Sequence, residues 1–287
     1  MSNFSPTDAA LEGVRLTRQR PKTILAWSAY YFAFTLVLFG VAYLTLGPHA
    51  QEMLQEMQRT QTDPEEAEKL FGQTLPFFAV GFPLLLLFMT MLISAIYRAV
   101  LGSDTKVTQF RLGRQEWRLA VLIVIAMLIV TGVLFLSNLL VGDIAAIGGS
   151  ALTDILVAVV AIAAILYFFV RLSLAGPATF SEEKLVVFRS WPLTHGHFWR
   201  LLGAYVLAGA ICLVMFVLML LVFSGLFGLF AQLTGLTITG LEAAASSPPV
   251  FIVALAWQAV YAFISTCCYV ILLAPSAQAY RDITEST

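Results

Sequence analysis

The sequence predicts an all-α polytopic membrane protein of about six transmembrane helices. Of its 287 residues, 60% are hydrophobic and only 11% are charged, whereas a soluble domain usually carries about 25% charged residues. The charged residues are also segregated between apolar runs that are long enough to cross a bilayer. Together these observations indicate that lipid surrounds most of the chain.

Six apolar segments can each span about 30 Å of hydrocarbon as a helix that rises about 1.5 Å per residue. They are Thr23–Leu46, Leu75–Leu101, Leu119–Val141, Ala151–Leu172, Leu201–Phe227 and Pro249–Ala274. The transmembrane domain therefore covers residues 23–275, between an N-terminal arm of residues 1–22 and a C-terminal tail of residues 276–287. In the arm, Ser5-Pro6-Thr7-Asp8 is typical of a helix N-cap.

The distribution of Lys and Arg predicts the orientation of the helices. Fourteen of the sixteen positive residues lie in the arm, the second and fourth connections and the tail. Because positively charged loops remain in the cytoplasm, both ends of the chain are expected there. The acidic connection 47–74, which holds the other two, Arg59 and Lys69, is expected outside. Within it we expect two short helices over the outer face, and Asp63-Pro64-Glu65-Glu66 predicts the start of the second. A solvated acidic loop is the alternative.

The two long cytoplasmic connections, residues 102–118 and 173–200, resemble each other. Each follows an Arg at the end of an apolar helix, Arg98 or Arg171, and each ends in Trp-Arg-Leu at the start of the next helix. A parallel duplication of a helix–elbow–helix unit would explain this similarity, and chance is the alternative. These connections are named here the first elbow and the second elbow.

The second elbow is predicted to contain an amphipathic helix. Ser181 is a candidate N-cap, Glu182 and Glu183 would occupy the first turn, and Pro192 would end the helix. Such a helix is expected to lie in the plane of the lipid headgroups. The apolar residues on one of its faces are Leu185, Phe188 and Trp191.

Part of this elbow resembles a known family. Residues 171–178 (Arg-Leu-Ser-Leu-Ala-Gly-Pro-Ala), Glu182-Glu183, residues 190–196 (Ser-Trp-Pro-Leu-Thr-His-Gly) and Phe198-Trp199-Arg200 resemble the central signature of YciC-like inner-membrane proteins. The same signature occurs in the membrane domain attached to some bacterial glycerophosphodiester phosphodiesterases, and Pro192 departs from it. The resemblance implies a polytopic bacterial envelope protein. It does not imply phosphodiesterase activity, because these residues hold no catalytic domain for it.

The sequence shows little chemistry inside the membrane, so we expect no enzyme activity, catalytic residue, metal site or cofactor. Asp154 is the one candidate intramembrane acid, and an acid close to a helix N-terminus is its alternative interpretation. His195 and His197 form a His-x-His pair without a nearby third ligand. Three cysteines lie in apolar runs and are expected to pack there: Cys212, Cys267 and Cys268.

These features predict a non-enzymatic bacterial inner-membrane protein that organises or binds lipid, with anionic membrane lipids as partners and no nucleic acid. A partner membrane protein is a further candidate. The alternative function is a transporter or channel subunit for a neutral or lipid-like solute. The candidate headgroup contacts are the basic and Trp residues of the elbows, namely Arg98, Arg114, Arg118, Arg171, Lys184, Arg189, Trp191, Trp199 and Arg200.

Overall fold

A computed structural model describes residues 5–47, 64–102, 113–146, 151–187, 190–234 and 248–285. Within these ranges the chain forms α-helices and no strand, which confirms the all-α class. In chain order the helices are α1 (Pro6–Gln19), α2 (Pro21–Leu46), α3 (Pro64–Leu101), α4 (Arg114–Ala146), α5 (Ala151–Leu172), α6 (Ala175–Ser181), α7 (Ser190–Thr194), α8 (Phe198–Thr234) and α9 (Pro248–Glu285).

Six of the described helices are long and apolar enough to cross a membrane: α2, α3, α4, α5, α8 and α9. Their outer surfaces carry many large apolar side chains, such as Leu128 and Phe135 on α4, which are 66% and 62% exposed. Exposed apolar side chains in such numbers are stable against lipid and not against water. The six predicted segments are therefore confirmed as helices of spanning length.

Several helices extend beyond the apolar segments that predict them. Helix α3 begins at Pro64, so the short outer helix expected there is instead the first part of a long helix. Helix α9 continues to Glu285, so the predicted tail is helical as far as that residue. At about 1.5 Å per residue, the 38 residues of α9 make a helix about 57 Å long. This length exceeds the thickness of the hydrocarbon core of a bilayer, which is about 30 Å.

The prediction of an amphipathic helix in the second elbow is wrong. Ser181 is the last residue of α6 instead of an N-cap, and Pro192 lies inside α7 instead of ending a longer helix. Between these helices Glu183 has φ of +51°, a left-handed conformation that interrupts a helix. The local capping pattern is overridden because the buried residues 175–179 place the helical turns earlier in the chain.

The helices contribute to two compact units. The first comprises Met1–Pro21, Thr90–Phe216 and Cys267–Thr287, and the second comprises Lys22–Met89 and Val217–Thr266. In the first unit, one core cluster joins α1, the end of α5, α6, the start of α8 and the end of α9. Its fully buried members include Ala9, Val170, Leu174, Leu201 and Ala279. Both elbows therefore belong to the same unit as the N-terminal arm.

Aromatic side chains contact one another within the second unit. The Phe88 ring lies 4.1 Å from that of Phe34 and 5.1 Å from that of Tyr30, measured between ring centroids. Phe223 and Trp257 lie 3.9 Å apart in the same way. Aromatic pairs at these separations contribute about 0.5–1.5 kcal/mol beyond the area they bury.

Small residues allow close helix packing within the first unit. Ala204, Ala208 and Cys212 follow one another at intervals of four on α8 and are all buried. The Sγ atom of Cys212 lies 3.8 Å from the carbonyl oxygen of Cys268 on α9. All three cysteines are buried and free, which confirms that they pack as small apolar residues.

The N-terminal arm is a capped helix that packs directly on α9. The Ser5 side chain accepts a hydrogen bond from the backbone N–H of Asp8 at 3.4 Å, which confirms the predicted N-cap. Gly13 permits the packing, because a Cβ atom there would lie 2.5 Å from the Cα of Ile271 and 2.9 Å from the carbonyl oxygen of Val270. Backbone atoms cannot move aside as the end of a side chain can.

Replacing Gly13 with Ala is therefore expected to destabilise the docked arm by about 1–3 kcal/mol, the usual cost of overpacking. Limited trypsin digestion measures this, because Arg15 and Arg18 on α1 become cleavable when the helix leaves α9. The control is Gly203→Ala on α8, where an added Cβ meets no atom within 4 Å. Equal cleavage rates in Gly13→Ala and the unaltered protein would show that α1 does not depend on this contact.

Candidate functional site

The first elbow is fixed by a buried ion pair. Glu116, in the first turn of α4, is 3% exposed, and its Oε1 atom pairs with Nη2 of Arg98 at the end of α3. The Oε2 atom of Glu116 also accepts a hydrogen bond of 2.8 Å from the backbone N–H of Gly113, which precedes the helix. The carboxylate thus caps α4 and ties it to the preceding transmembrane helix.

The second elbow is fixed by Arg171 at the end of α5. Its Nη1 atom donates to the carbonyl oxygen of Trp191 at 3.2 Å and to Oγ1 of Thr194 at 3.1 Å. Its guanidinium carbon lies 5.4 Å from the ring centroid of Tyr167, 5.5 Å from that of Trp191 and 5.8 Å from that of Phe198. These distances permit cation–π attraction. One cation therefore joins α5, α7 and the start of α8.

The similarity of the two elbows extends from sequence to structure. In each, the Arg that ends the preceding transmembrane helix is held by the elbow that follows. The Trp of each Trp-Arg-Leu segment is largely exposed, at 71% for Trp117 and 79% for Trp199. The Leu two positions later is fully buried in both, at Leu119 and Leu201. The two Trp-Arg-Leu segments therefore have the same pattern of exposure and burial.

Two glutamates connect the second elbow to other elements of the same unit. Glu182 accepts a hydrogen bond from the hydroxyl of Tyr280 on α9 at 3.4 Å. Glu183 accepts one from the side-chain amide of Gln115 in α4 at 2.9 Å. The two elbows therefore lie side by side.

The predicted headgroup contacts fall into three groups. Arg98 and Arg171 are engaged within the protein, as described above. Arg114, Lys184, Trp199 and Arg200 are exposed, while Arg118 and Trp191 are half-buried. Arg189 lies outside the described residues. The candidate intramembrane acid, Asp154, lies in the first turn of α5, and its side chain is outside the described part of the structure.

Exposed residues of the two elbows form what is named here the elbow surface: Arg114, Trp117, Lys184, Trp199 and Arg200. Among the described residues, none of its three cations forms an ion pair with an acidic side chain. Trp117 was not among the predicted contacts, although its place in the repeated Trp-Arg-Leu segment is a signal for it. Amphipathic Trp rings and free cations are the residues that favour a membrane–water interface.

A second feature of the same unit is a half-enclosed cavity of about 240 Å³. Aliphatic and aromatic side chains make up most of its wall, and no lining residue is ionisable except two tyrosines. Its polar groups are the hydroxyls of Tyr97, Ser173, Tyr205 and Ser276. Gly176 makes room for Tyr97, because a Cβ atom there would collide with the tyrosine hydroxyl.

A metal-binding constellation is not found in the described ranges, where no three His, Cys, Asp or Glu side chains gather closely enough to hold an ion. His195 is exposed and His197 is half-buried.

The helices and their apolar surfaces define a multi-pass membrane protein whose elbows and cavity belong to one compact unit. Searches against protein-family models, curated proteins and solved structures give no match for the chain. The function therefore has to be inferred from the geometry of this unit.

Proposed function

We propose that the protein is a non-enzymatic membrane protein that binds anionic lipid headgroups through the elbow surface. The supporting observation is that Trp117 and Trp199 are exposed in the same two elbows as the exposed cations Arg114, Lys184 and Arg200. These three cations have no acidic partner among the described residues. A basic residue near an anionic leaflet contributes about 1 kcal/mol of attraction. Three such residues together contribute about 3 kcal/mol of attraction.

We further propose that the membrane is the bacterial inner membrane and that both ends of the chain face the cytoplasm. Supporting this orientation, the positive residues are concentrated in the arm, the elbows and the tail. The packing of α1 against α9 is compatible with it, since the chain's first and last described helices lie together. The resemblance to YciC-like proteins supports the same location. Bound lipid would then organise neighbouring lipid or a partner membrane protein.

Neutralising the elbow cations tests this function. The triple variant Arg114→Gln, Lys184→Gln, Arg200→Gln is expected to fold, because all three side chains are exposed. In nanodiscs, adding anionic lipid to zwitterionic lipid should raise the unfolding temperature of the unaltered protein and have little effect on the triple variant.

The matched control removes three charges from the arm instead, as Arg15→Gln, Arg18→Gln, Lys22→Gln. This control should keep most of the response to anionic lipid. If the two triple variants lose the response equally, general electrostatic attraction explains the effect and the elbow surface is not a lipid site.

A second candidate function, a transporter or channel subunit, is favoured by the cavity. Because its walls carry no fixed charge, the solute would have to be neutral or lipid-like. Selective flux of such a solute into proteoliposomes would favour this candidate over lipid organisation.

A further inference from the structure

The lining of the cavity suits a ligand that is apolar over most of its length. It is lined by residues of α3, α4, α5, α8 and α9 with the start of α6, all within the first unit. Its volume of about 240 Å³ lies below the about 300–1,000 Å³ of pockets for drug-sized ligands. It therefore accommodates one short apolar chain, and a whole two-chain lipid would not fit.

The hydroxyls at the cavity have a defined hydrogen-bond direction. Ser173 donates to the carbonyl oxygen of Val170 at 2.8 Å, and Ser276 donates to that of Leu273 at 2.7 Å. Because these two protons are used by the helices, the oxygens of Ser173 and Ser276 can only accept hydrogen bonds from a bound molecule.

The charge of the occupant follows from the walls. The lining holds no Lys, Arg, His, Asp or Glu, so a charged headgroup inside the cavity would be desolvated without a counter-charge, which is costly. A neutral group that donates a hydrogen bond fits the free acceptors. A group that only accepts, such as an ether oxygen, cannot bond to the two serine oxygens.

We propose that this cavity binds a neutral amphiphile that has one short apolar chain and a hydroxyl group, as in a short-chain alcohol. The chain lies along Ile123, Ala126 and Phe168, and the hydroxyl donates to the oxygens of Ser173 and Ser276. This site is separate from the elbow surface and does not depend on anionic lipid. Its failure would leave the proposed headgroup binding unaffected.

Photolabelling of the full chain in nanodiscs tests the proposal. The probes are a short-chain alcohol with a diazirine in its chain and the methyl ether of the same molecule. Peptide mass spectrometry should find the alcohol attached to cavity residues of α4, α5 and α9. The alcohol should label these positions about two- to tenfold more than the ether, the difference that one hydrogen bond makes.

Two variants with matched controls establish the site. Ala126→Phe fills the cavity and should abolish the labelling, while Leu128→Phe on the exposed side of α4 should preserve it. Ser173→Ala combined with Ser276→Ala should bring the ratio of alcohol to ether labelling close to one, whereas Ser224→Ala at an exposed position should not change it. Thermal unfolding of each variant verifies that it is folded. Labelling spread evenly over the lipid-facing helices, or unchanged in folded Ala126→Phe, would overturn the proposal.

Discussion

Replacing Arg98 with Met is expected to lower the free energy of unfolding by about 3 kcal/mol. The change leaves Glu116, which is 3% exposed, as a buried carboxylate without its counter-charge, and breaking a buried pair in this way typically costs about 3–5 kcal/mol. The lower part of this range applies because the Arg98 side chain is 21% exposed, so water screens part of the interaction. Chemical unfolding in detergent micelles, followed by circular dichroism, measures the loss.

Two further variants isolate the ion pair as the cause. Arg15→Met removes the cation of the exposed pair with Glu12, whose side chains are 56% and 23% exposed, and should cost less than about 1 kcal/mol. The double variant Arg98→Met, Glu116→Gln removes both charges and keeps an oxygen for the Gly113 N–H. It should regain most of the stability. If the double variant is as unstable as Arg98→Met, the lost packing of Arg98 matters more than its charge.

Replacing Arg171 with Met should have an effect of similar size, centred on the second elbow. The change removes two charge-assisted hydrogen bonds, to Trp191 and Thr194, each worth about 1.5–3 kcal/mol. It also removes the cation from three aromatic rings. Because Met retains part of the packing, we expect a net loss of about 3 kcal/mol. Hydrogen exchange of residues 190–197 should accelerate more than exchange in the transmembrane helices.

Charge alone is expected to be insufficient at this position. Arg171→Lys keeps the cation but loses the planar group that contacts several partners at once, so it should restore only part of the stability. Arg200→Met removes an exposed Arg of the same elbow and should change the stability by less than about 0.5 kcal/mol. Unaltered exchange at residues 190–197 in Arg171→Met would contradict the role assigned to Arg171.

The sequence predicted the spanning helices well because an apolar run of about 20 residues carries that signal by itself. Helix α5 matches its predicted bounds, Ala151–Leu172, at both ends. Helices α3 and α9 were predicted too short, because hydropathy detects where a helix meets lipid and not where its hydrogen bonding stops. The N-cap at Ser5 was found because capping depends only on adjacent residues.

Contacts between distant parts of the chain were not predictable from local patterns. The sequence placed Arg98 and Arg171 among the headgroup contacts, but the structure pairs Arg98 with Glu116, 18 positions away, and Arg171 with Trp191, 20 positions away. The capping pattern at Ser181 also failed because of packing between distant parts of the chain, since the buried residues 175–179 place the helical turns earlier in the chain. The cavity likewise has no signal in the sequence, because five transmembrane helices supply its walls.

Native mass spectrometry of the protein released from nanodiscs of mixed anionic and zwitterionic lipid tests the central proposal most directly. The account predicts that the unaltered chain retains anionic lipid. This lipid should be lost in Arg114→Gln, Lys184→Gln, Arg200→Gln and kept in the arm variant Arg15→Gln, Arg18→Gln, Lys22→Gln. A chain that retains no anionic lipid, or an elbow variant that retains as much as the unaltered protein, would contradict it.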